Sequence, residues 1–373
     1  LERREATRLL LVAAAAGRFT SVADPLSGSL AGRWLAGACD RIPGLGWLLT
    51  RKAPRAFTSM VERLVRMRRY DLVLVRGSRL RDLGARLAEL APCVYDASRA
   101  DGNLRAACRR LGREDVLGST VDPKGGLGSS GDAFRAILAP SALDAERLRA
   151  TGTTAPVHVV PPIAALDDLE LSIESPILGR REPVRPRRIL AVGSERIDNL
   201  DGLRWFRRRV LPMIFDAVPS ARFRIVGESG RHLEPGPDVE RLGHVENLAR
   251  EYREAALVVL PLRLDGGLRR RAVEALAHGR VLAATSEGAA GLEIAPGRDG
   301  VIASDEEELA RGIIRVLTDD SYRRAMERRS FEIARSRFKP SIALAPILDL
   351  LGLETELPTT ELEETAEVAT TSA

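Results

Sequence analysis

The residues best suited to chemistry lie between positions 266 and 274, in the stretch GGLRRRAVE. The apolar run ALVVLPL precedes them, and the pattern predicts a helix that begins at about Leu268. The first turn of a helix has unpaired backbone N–H groups and partial positive charge, and glycines allow a ligand to approach closely. The stretch therefore predicts a phosphate site built on Gly266, Gly267 and Leu268.

Charged side chains of this helix extend the prediction. Arg269 and Arg271 carry guanidinium groups, whose geometry matches phosphate oxygens. Glu274 follows about one and a half turns into the helix, where its carboxylate can accept two hydrogen bonds from a ribose. These features predict a grip on a nucleoside diphosphate. The alternative is a solvated basic helix whose glutamate pairs with an arginine.

Composition limits the classes of protein that are compatible with the chain. A length of 373 residues predicts two domains. The longest apolar run, residues 9–17, is too short to cross a bilayer. Residues 1–190 carry 31 Lys and Arg against 21 Asp and Glu, which favours anionic partners. Only 4% of residues are aromatic and no nucleic-acid motif is found, so we expect no nucleic-acid partner.

The three cysteines have unrelated spacings and include no CxxC pair. This usage predicts a reducing compartment, no disulfide framework and no zinc site. We therefore expect a cytoplasmic protein. The basic amphipathic segment RKAPRAFTSMVERLVRMRRY is compatible with peripheral contact at the inner face of the membrane. The alternative for that segment is an ordinary helix on the surface of a domain.

Short aliphatic runs alternate with helical patterns, which predicts α/β domains with parallel sheets covered by helices on both faces. The predicted strands are FTSVAD, DLVLVRG, PCVYDAS, RAILAPS, APVHVVPP, RRILAVGS, RFRIVGE, ALVVLPL, RVLAATS and GVIASD. The predicted helices are residues 54–69, 79–91, 141–151, 199–217, 268–278, 305–318 and 321–337.

Changes in composition divide the chain into five parts. We predict an N-terminal domain over 1–163, a proline-rich linker over 164–186 and a second domain over 187–338. A C-terminal helix over 339–353 and an acidic disordered tail over 354–373 follow. A helical pattern over residues 2–16 precedes FTSVAD. The N-terminal domain is therefore predicted to lack its first strand and glycine turn.

The order of the motifs resembles the family 4 glycosyltransferases of the GT-B fold. The resemblance is carried by ILAVGSERIDNLDGLRWFRRRVLPMIFDAVPSARFRIVG, RLGHVENLAREYREAALVVLPL and GGLRRRAVEALAHGRVLAATSEGAAGLE. It is strong over 187–338 and looser over 1–163. It implies two Rossmann-like domains that face a cleft, with a nucleotide sugar bound to the second domain.

The resemblance also implies roles for individual residues. The diphosphate-binding set comprises Gly193, Ser194, Arg196, Asn199, Gly266, Gly267, Leu268 and Arg271. Glu274 takes the ribose-binding position, and Val245 takes the position that packs against the base.

The chain departs from the family pattern at the expected catalytic positions. Many relatives carry an acid eight residues before the ribose-binding glutamate, where this chain has Gly266. Asp265 is adjacent and is one catalytic candidate, with a plain turn aspartate as the alternative. Asp96 and Asp101 are the candidates in the N-terminal domain, with capping roles as the alternatives.

The activity implied by the resemblance is retaining transfer of a sugar from a nucleoside diphosphate sugar to a glycan or lipid-linked acceptor. No DxD motif is present, and we expect neither a metal nor a cofactor. The rival hypothesis is a non-catalytic GT-B scaffold that binds a nucleotide sugar or a partner protein. A sugar-nucleotide epimerase is a third hypothesis, and it requires acid and base groups on both sides of the cleft.

Overall fold

A computed structural model describes residues 9–13, 55–68, 70, 72–77, 80–97, 128–163, 187–234, 236, 239–264 and 267–351. These residues form two parallel β-sheets with helices packed against them. The predicted linker and acidic tail lie outside the described residues, so the domain boundaries stay predictions.

The first sheet has five parallel strands in the order β1-β2-β3-β4-β5. Their bounds are Leu9–Ala13, Leu72–Arg76, Cys93–Asp96, Ala136–Ala139 and Val157–Val159. The flanking helices are α1 (Arg55–Met67), α2 (Arg81–Leu87) and α3 (Ala142–Arg149). The Ser141 side chain caps α3 by accepting a hydrogen bond from the Asp144 backbone N–H.

The prediction of a helix over residues 2–16 is wrong for Leu9–Ala13, which form strand β1. This strand pairs in parallel with β2, with Leu9 opposite Leu72 and Ala13 opposite Arg76. A short apolar run such as LLLVA fits a buried strand as well as a helix, and tertiary pairing decides between them. The prediction that no strand precedes FTSVAD fails for the same reason, while FTSVAD itself lies outside the described residues.

The second sheet has six strands in the order β11-β10-β9-β6-β7-β8. In chain order these are β6 (Arg188–Val192), β7 (Arg222–Val226), β8 (Val239–Gly243), β9 (Leu257–Leu260), β10 (Val281–Ala284) and β11 (Val301–Ile302). The four strands that are apolar throughout were predicted correctly because they are buried on both faces. Strand β8 was missed because VERLG is a charged edge strand with exposed side chains.

Helices cover both faces of the second sheet. One face carries α4 (Ile197–Trp205), a π-helical segment (Phe206–Val210), α5 (Leu211–Ala217) and α8 (Glu306–Thr318). The other face carries α6 (Leu248–Glu254), α7 (Arg270–Ala277) and α9 (Asp320–Arg337). Adjacent residues of β6 face opposite ways, with Ile189 in the first core and Leu190 in the second.

Two short C-terminal helices return to the first sheet. They are α10 (Pro340–Ala343) and α11 (Ala345–Leu351), within the segment predicted to be helical. Ile347 and Leu350 of α11 pack against a core cluster of the first sheet that contains Leu72 and Val94. Within the described ranges, the structure contains no helix with the length and apolar character needed to span a bilayer.

Candidate functional site

The candidate site lies where β6, β7 and β9 end, since parallel strands present their carboxyl ends at one edge of the sheet. Gly193 follows β6 and Gly227 follows β7 with a φ of 96°. A β-carbon on Gly227 would overlap the Gly193 carbonyl oxygen, so glycine is required there on two grounds. The two chain segments therefore cross closely at the strand ends.

Helix α7 starts at this edge and carries the GGLRRR stretch. Its first helical residue is Arg270, with Arg269 as the N-cap, so the helix begins two residues later than Leu268. Gly267 has a φ of 76°, in the left-handed region that favours glycine. Gly266 and Asp265 lie outside the described residues.

The three consecutive arginines point to different partners. The Arg269 guanidinium forms an ion pair with Asp198 at 3.0 Å. Arg271 donates a hydrogen bond of 3.0 Å to Asn199 Oδ1, and burial lowers its pKa. Arg270 points outward, with its side chain 76% exposed. Two of the three guanidiniums are thus held inward, toward helix α4.

Asp198 is the acidic centre of this cluster. Its side chain is fully buried and lies between Arg269 and Arg196, whose Nε is 3.2 Å from Oδ1. Burial alone disfavours the carboxylate, but the charges of the two arginines outweigh it, so the pKa of Asp198 lies below its ordinary value. Asp198 therefore stays ionised and fixes both arginines.

Glu274 lies deeper along α7, in a polar cluster with Arg270 and Tyr252. Its Oε1 accepts a hydrogen bond of 2.8 Å from Arg270, and its Oε2 accepts one of 3.0 Å from the Tyr252 hydroxyl. Burial and the Glu274 charge raise the pKa of Tyr252 well above its ordinary value. The Tyr252 ring also stacks on His278 at a centroid distance of 5.0 Å. The carboxylate is therefore held in place by two donors.

A carboxylate from the first sheet domain reaches the start of α7. Asp144 Oδ2, on α3, accepts a hydrogen bond of 3.2 Å from the Leu268 backbone N–H and one of 2.6 Å from the Ser141 hydroxyl. Asp144 is buried, and a β-carbon on Gly267 would overlap its carboxylate. An anion that uses the Leu268 amide must therefore displace Asp144.

The second sheet domain matches a known family model. Residues 186–319 match the model described as glycosyl transferases group 1. These residues form a group 1 glycosyltransferase domain. No curated protein sequence matches the chain.

Solved structures of GT-B glycosyltransferases have the fold of the whole chain. Sucrose-phosphate synthase from Thermosynechococcus elongatus aligns with a TM-score of 0.57 at 17% identity, over 79% of this chain and 76% of that one. HepE from Anabaena, in complex with UDP and glucose, gives 0.56 at 17% identity, over 80% and 81%. TarM from S. aureus gives 0.59 at 11% identity, over 79% and 58%. The chain has the GT-B fold, with two parallel-sheet units.

Within the group 1 domain, the structure brings together most of the residues predicted to bind diphosphate. Asn199 donates a hydrogen bond of 3.1 Å to the Ser194 hydroxyl and accepts one from Arg271. This chain of contacts joins the end of β6 to the start of α7, while Arg196 is tied to the same cluster through Asp198. Val245 is half-buried after β8 and packs against the core beneath α7. The roles of these residues in binding stay predictions.

The two catalytic candidates differ in what the structure shows. Asp96 ends strand β3, and its Oδ2 lies 3.2 Å from the Arg76 guanidinium at the end of β2. It therefore lies at the carboxyl edge of the first sheet, in an ion pair. Asp265 and Asp101 lie outside the described residues. In the part of the chain that is described, no three His, Cys, Asp or Glu side chains cluster as metal ligands.

Three residues around the group 1 domain were missed by the sequence analysis. Asp198 and Tyr252 hold the predicted arginines and glutamate, and Asp144 contacts the Leu268 amide. Asp198 lies two residues after the predicted Arg196, so its acid-base spacing was visible in SERIDN. No signal in the sequence pairs Asp144 with Leu268, because 124 positions separate them.

Proposed function

We propose that the protein transfers a sugar from a nucleoside diphosphate sugar to a hydroxyl of a glycan or lipid-linked acceptor. The observation that carries this proposal is the inward arrangement of Arg269 and Arg271 at the start of α7. Fixed guanidiniums beside a helix start suit a diphosphate. HepE, which has the same fold, binds UDP and glucose in its solved complex.

The proposed reaction breaks the bond between the anomeric carbon and the diphosphate oxygen. The acceptor oxygen bonds to the anomeric carbon, and its proton passes to the departing diphosphate. Negative charge builds on the diphosphate as the bond breaks, so Arg271 and the helix start stabilise the transition state more than the bound donor. Glu274 accepts hydrogen bonds from the ribose hydroxyls, in exchange for those it accepts from Arg270 and Tyr252.

Retention of the anomeric configuration is part of the proposal and is supported by the resemblance to family 4. Transfer of the proton to the leaving diphosphate on the same face of the sugar is compatible with that outcome. A hexose as the transferred sugar is proposed on the same basis. A cytoplasmic location, with peripheral membrane contact through the basic N-terminal half, also stays a prediction.

Turnover of a donor panel tests the proposal. Purified protein is incubated with UDP- and GDP-hexoses, with and without a glycan acceptor, and release of nucleoside diphosphate is followed by chromatography. We expect release with at least one donor, equal rates with and without EDTA, and a product whose anomeric configuration by NMR equals that of the donor. Absence of both release and nucleotide binding would contradict the proposal.

The second candidate function is a scaffold that binds a nucleotide sugar without turnover. The observation in its favour is Asp144, whose carboxylate already pairs with the Leu268 amide. Binding of a donor without release of nucleoside diphosphate in the same assay would support the scaffold. Interconversion of the donor sugar without an acceptor would instead support an epimerase.

A further inference from the structure

A second basic site lies on the other side of helix α4 from the cluster around Asp198. A cavity of about 660 Å³ opens there between α4, the π-helical segment and the loops that follow β7 and β9. Five arginines and two carboxylates line it. We call this cavity the arginine groove and define it by Arg204, Trp205, Arg208, His232, Glu234 and Arg263.

The arginines of the groove are of two kinds. Some have acidic partners, since Arg207 lies 3.3 Å from Glu234 and Arg209 lies 2.9 Å from Glu306. Arg204 and Arg208 form no ion pair with any residue that the structure describes. Both are exposed, four positions apart, and line the same cavity. Two guanidiniums at this spacing lie close enough to bind one anion together.

Trp205 provides a fixed wall between the two arginines in sequence. Its indole N–H donates a hydrogen bond of 3.1 Å to Glu306, which holds the ring in place. The Arg263 guanidinium lies 5.9 Å from the ring centroid, within the range of a cation–π contact. The groove thus combines excess positive charge with one rigid aromatic surface. That combination suits a ligand with an anionic group and an apolar or ring-shaped body.

The π-helical segment is the second unusual feature. Phe206–Val210 interrupts the helix that would otherwise run from α4 into α5, and it carries FRRRV. Phe206 and Val210 are buried in the core, so the three arginines between them face the groove side. Interruptions of this kind are frequent at functional sites.

We propose that the arginine groove binds a phosphate ester or pyrophosphate group as a site separate from the candidate donor site. Guanidinium forks match phosphate oxygens, and the cavity has the volume of a small-molecule site. None of Arg269, Arg271 or Glu274 lines the groove. The proposal therefore does not depend on the proposed transferase activity. A soluble phosphate ester and a phospholipid headgroup share this chemistry.

Inorganic pyrophosphate is the probe for this site, and calorimetry is the measurement. Titrations are made in an Arg271→Gln background, so that the candidate donor site contributes little. We expect pyrophosphate to bind, and the added pair Arg204→Gln/Arg208→Gln to weaken binding by about tenfold or more, because two guanidiniums are lost. The control pair Arg324→Gln/Arg328→Gln removes two exposed arginines of equal spacing on α9 and should leave the affinity unchanged.

Absence of pyrophosphate binding in the Arg271→Gln background would overturn the proposal, and so would equal weakening by both double variants. Intrinsic fluorescence gives a second measurement on the unaltered chain. Pyrophosphate should change the emission, and Trp205→Phe should remove that change. An unaltered response in Trp205→Phe would also count against the groove.

Vesicles distinguish the two sources of phosphate. Co-sedimentation is compared for phosphatidylglycerol and phosphatidylcholine vesicles, with the groove variant and the control variant in parallel. Selective binding to phosphatidylglycerol that is lost only in the groove variant would assign a lipid headgroup. Pyrophosphate binding through Arg204 and Arg208 without vesicle binding would assign a soluble phosphate ester.

Discussion

At the scale of single residues, the candidate site depends on charges that are held by other charges. Asp198 lies buried between Arg196 and Arg269, and Arg271 is oriented by Asn199. The arginines therefore need no rearrangement to meet a diphosphate. Fixed donors of this kind stabilise developing charge better than mobile ones.

The substitution Asp198→Asn tests this cluster through its pH dependence. The folded-state pKa of Asp198 is lowered, so its contribution to stability is present above the unfolded pKa and is lost as pH falls through the folded pKa. At neutral pH we expect the variant to be less stable by about 3–5 kcal/mol, because Arg269 loses its buried partner. The difference should shrink below about pH 3.9. Urea unfolding at several pH values measures it, and a pH-independent difference would contradict the assignment.

The substitution Glu274→Gln tests the ribose-binding position. We expect nucleotide affinity to fall by about 1–3 kcal/mol through the loss of a charged hydrogen bond. Glu254→Gln is unsuitable as a control because Glu254 pairs with Arg188, so the exposed Glu332 on α9 serves instead. Unchanged affinity in a folded Glu274→Gln variant, measured by calorimetry, would exclude the role.

At the scale of elements, the strands with continuous apolar residues could be predicted from sequence because burial on both faces leaves a direct signal. The same signal misled at Leu9–Ala13, where apolar residues fit a helix until the pairing with β2 is known. Strand β8 and helix α6 could not be predicted, since Glu240 and Arg241 lie on an exposed edge and α6 spans only seven residues. The start of α7 was predicted within two residues, as is usual for helix ends.

The contact between α3 and the start of α7 gives a prediction at this scale. Asp144→Ala removes the carboxylate that accepts the Leu268 N–H, so that amide becomes available to a phosphate. We expect nucleotide diphosphate affinity to rise by about three- to tenfold, since one hydrogen bond no longer has to be exchanged. Hydrogen exchange at Leu268 should also accelerate. Glu146→Ala, an exposed acid on the same helix, is the control. Equal or weaker affinity in Asp144→Ala would contradict the displacement.

At the scale of the whole molecule, contacts in two places join the sheet units. Asp144 contacts the start of α7, and α11 packs against the first sheet. Neither could be predicted from sequence, because each joins residues that are far apart in the chain. The GT-B fold itself was predicted from the order of the motifs and is confirmed by the solved structures.

The return of α11 to the first sheet gives a prediction of stability. Ile347→Ala and Leu350→Ala together should lower the free energy of unfolding by about 2–4 kcal/mol, because both side chains are only partly buried. Asp349→Ala, an exposed position on the same helix, should change it little. Thermal unfolding followed by circular dichroism measures both variants. Equal melting temperatures for the two would show that α11 does not stabilise the first sheet.

The most direct test of the central claim is calorimetric titration of UDP and GDP into the unaltered chain and into Arg271→Gln. The account predicts that at least one nucleotide binds and that the substitution weakens it by about ten- to hundredfold, through the loss of a charged hydrogen bond to phosphate. Arg328→Gln should bind as the unaltered chain does. No binding of either nucleotide, or equal affinity in Arg271→Gln, would contradict the claim that the start of α7 grips a diphosphate.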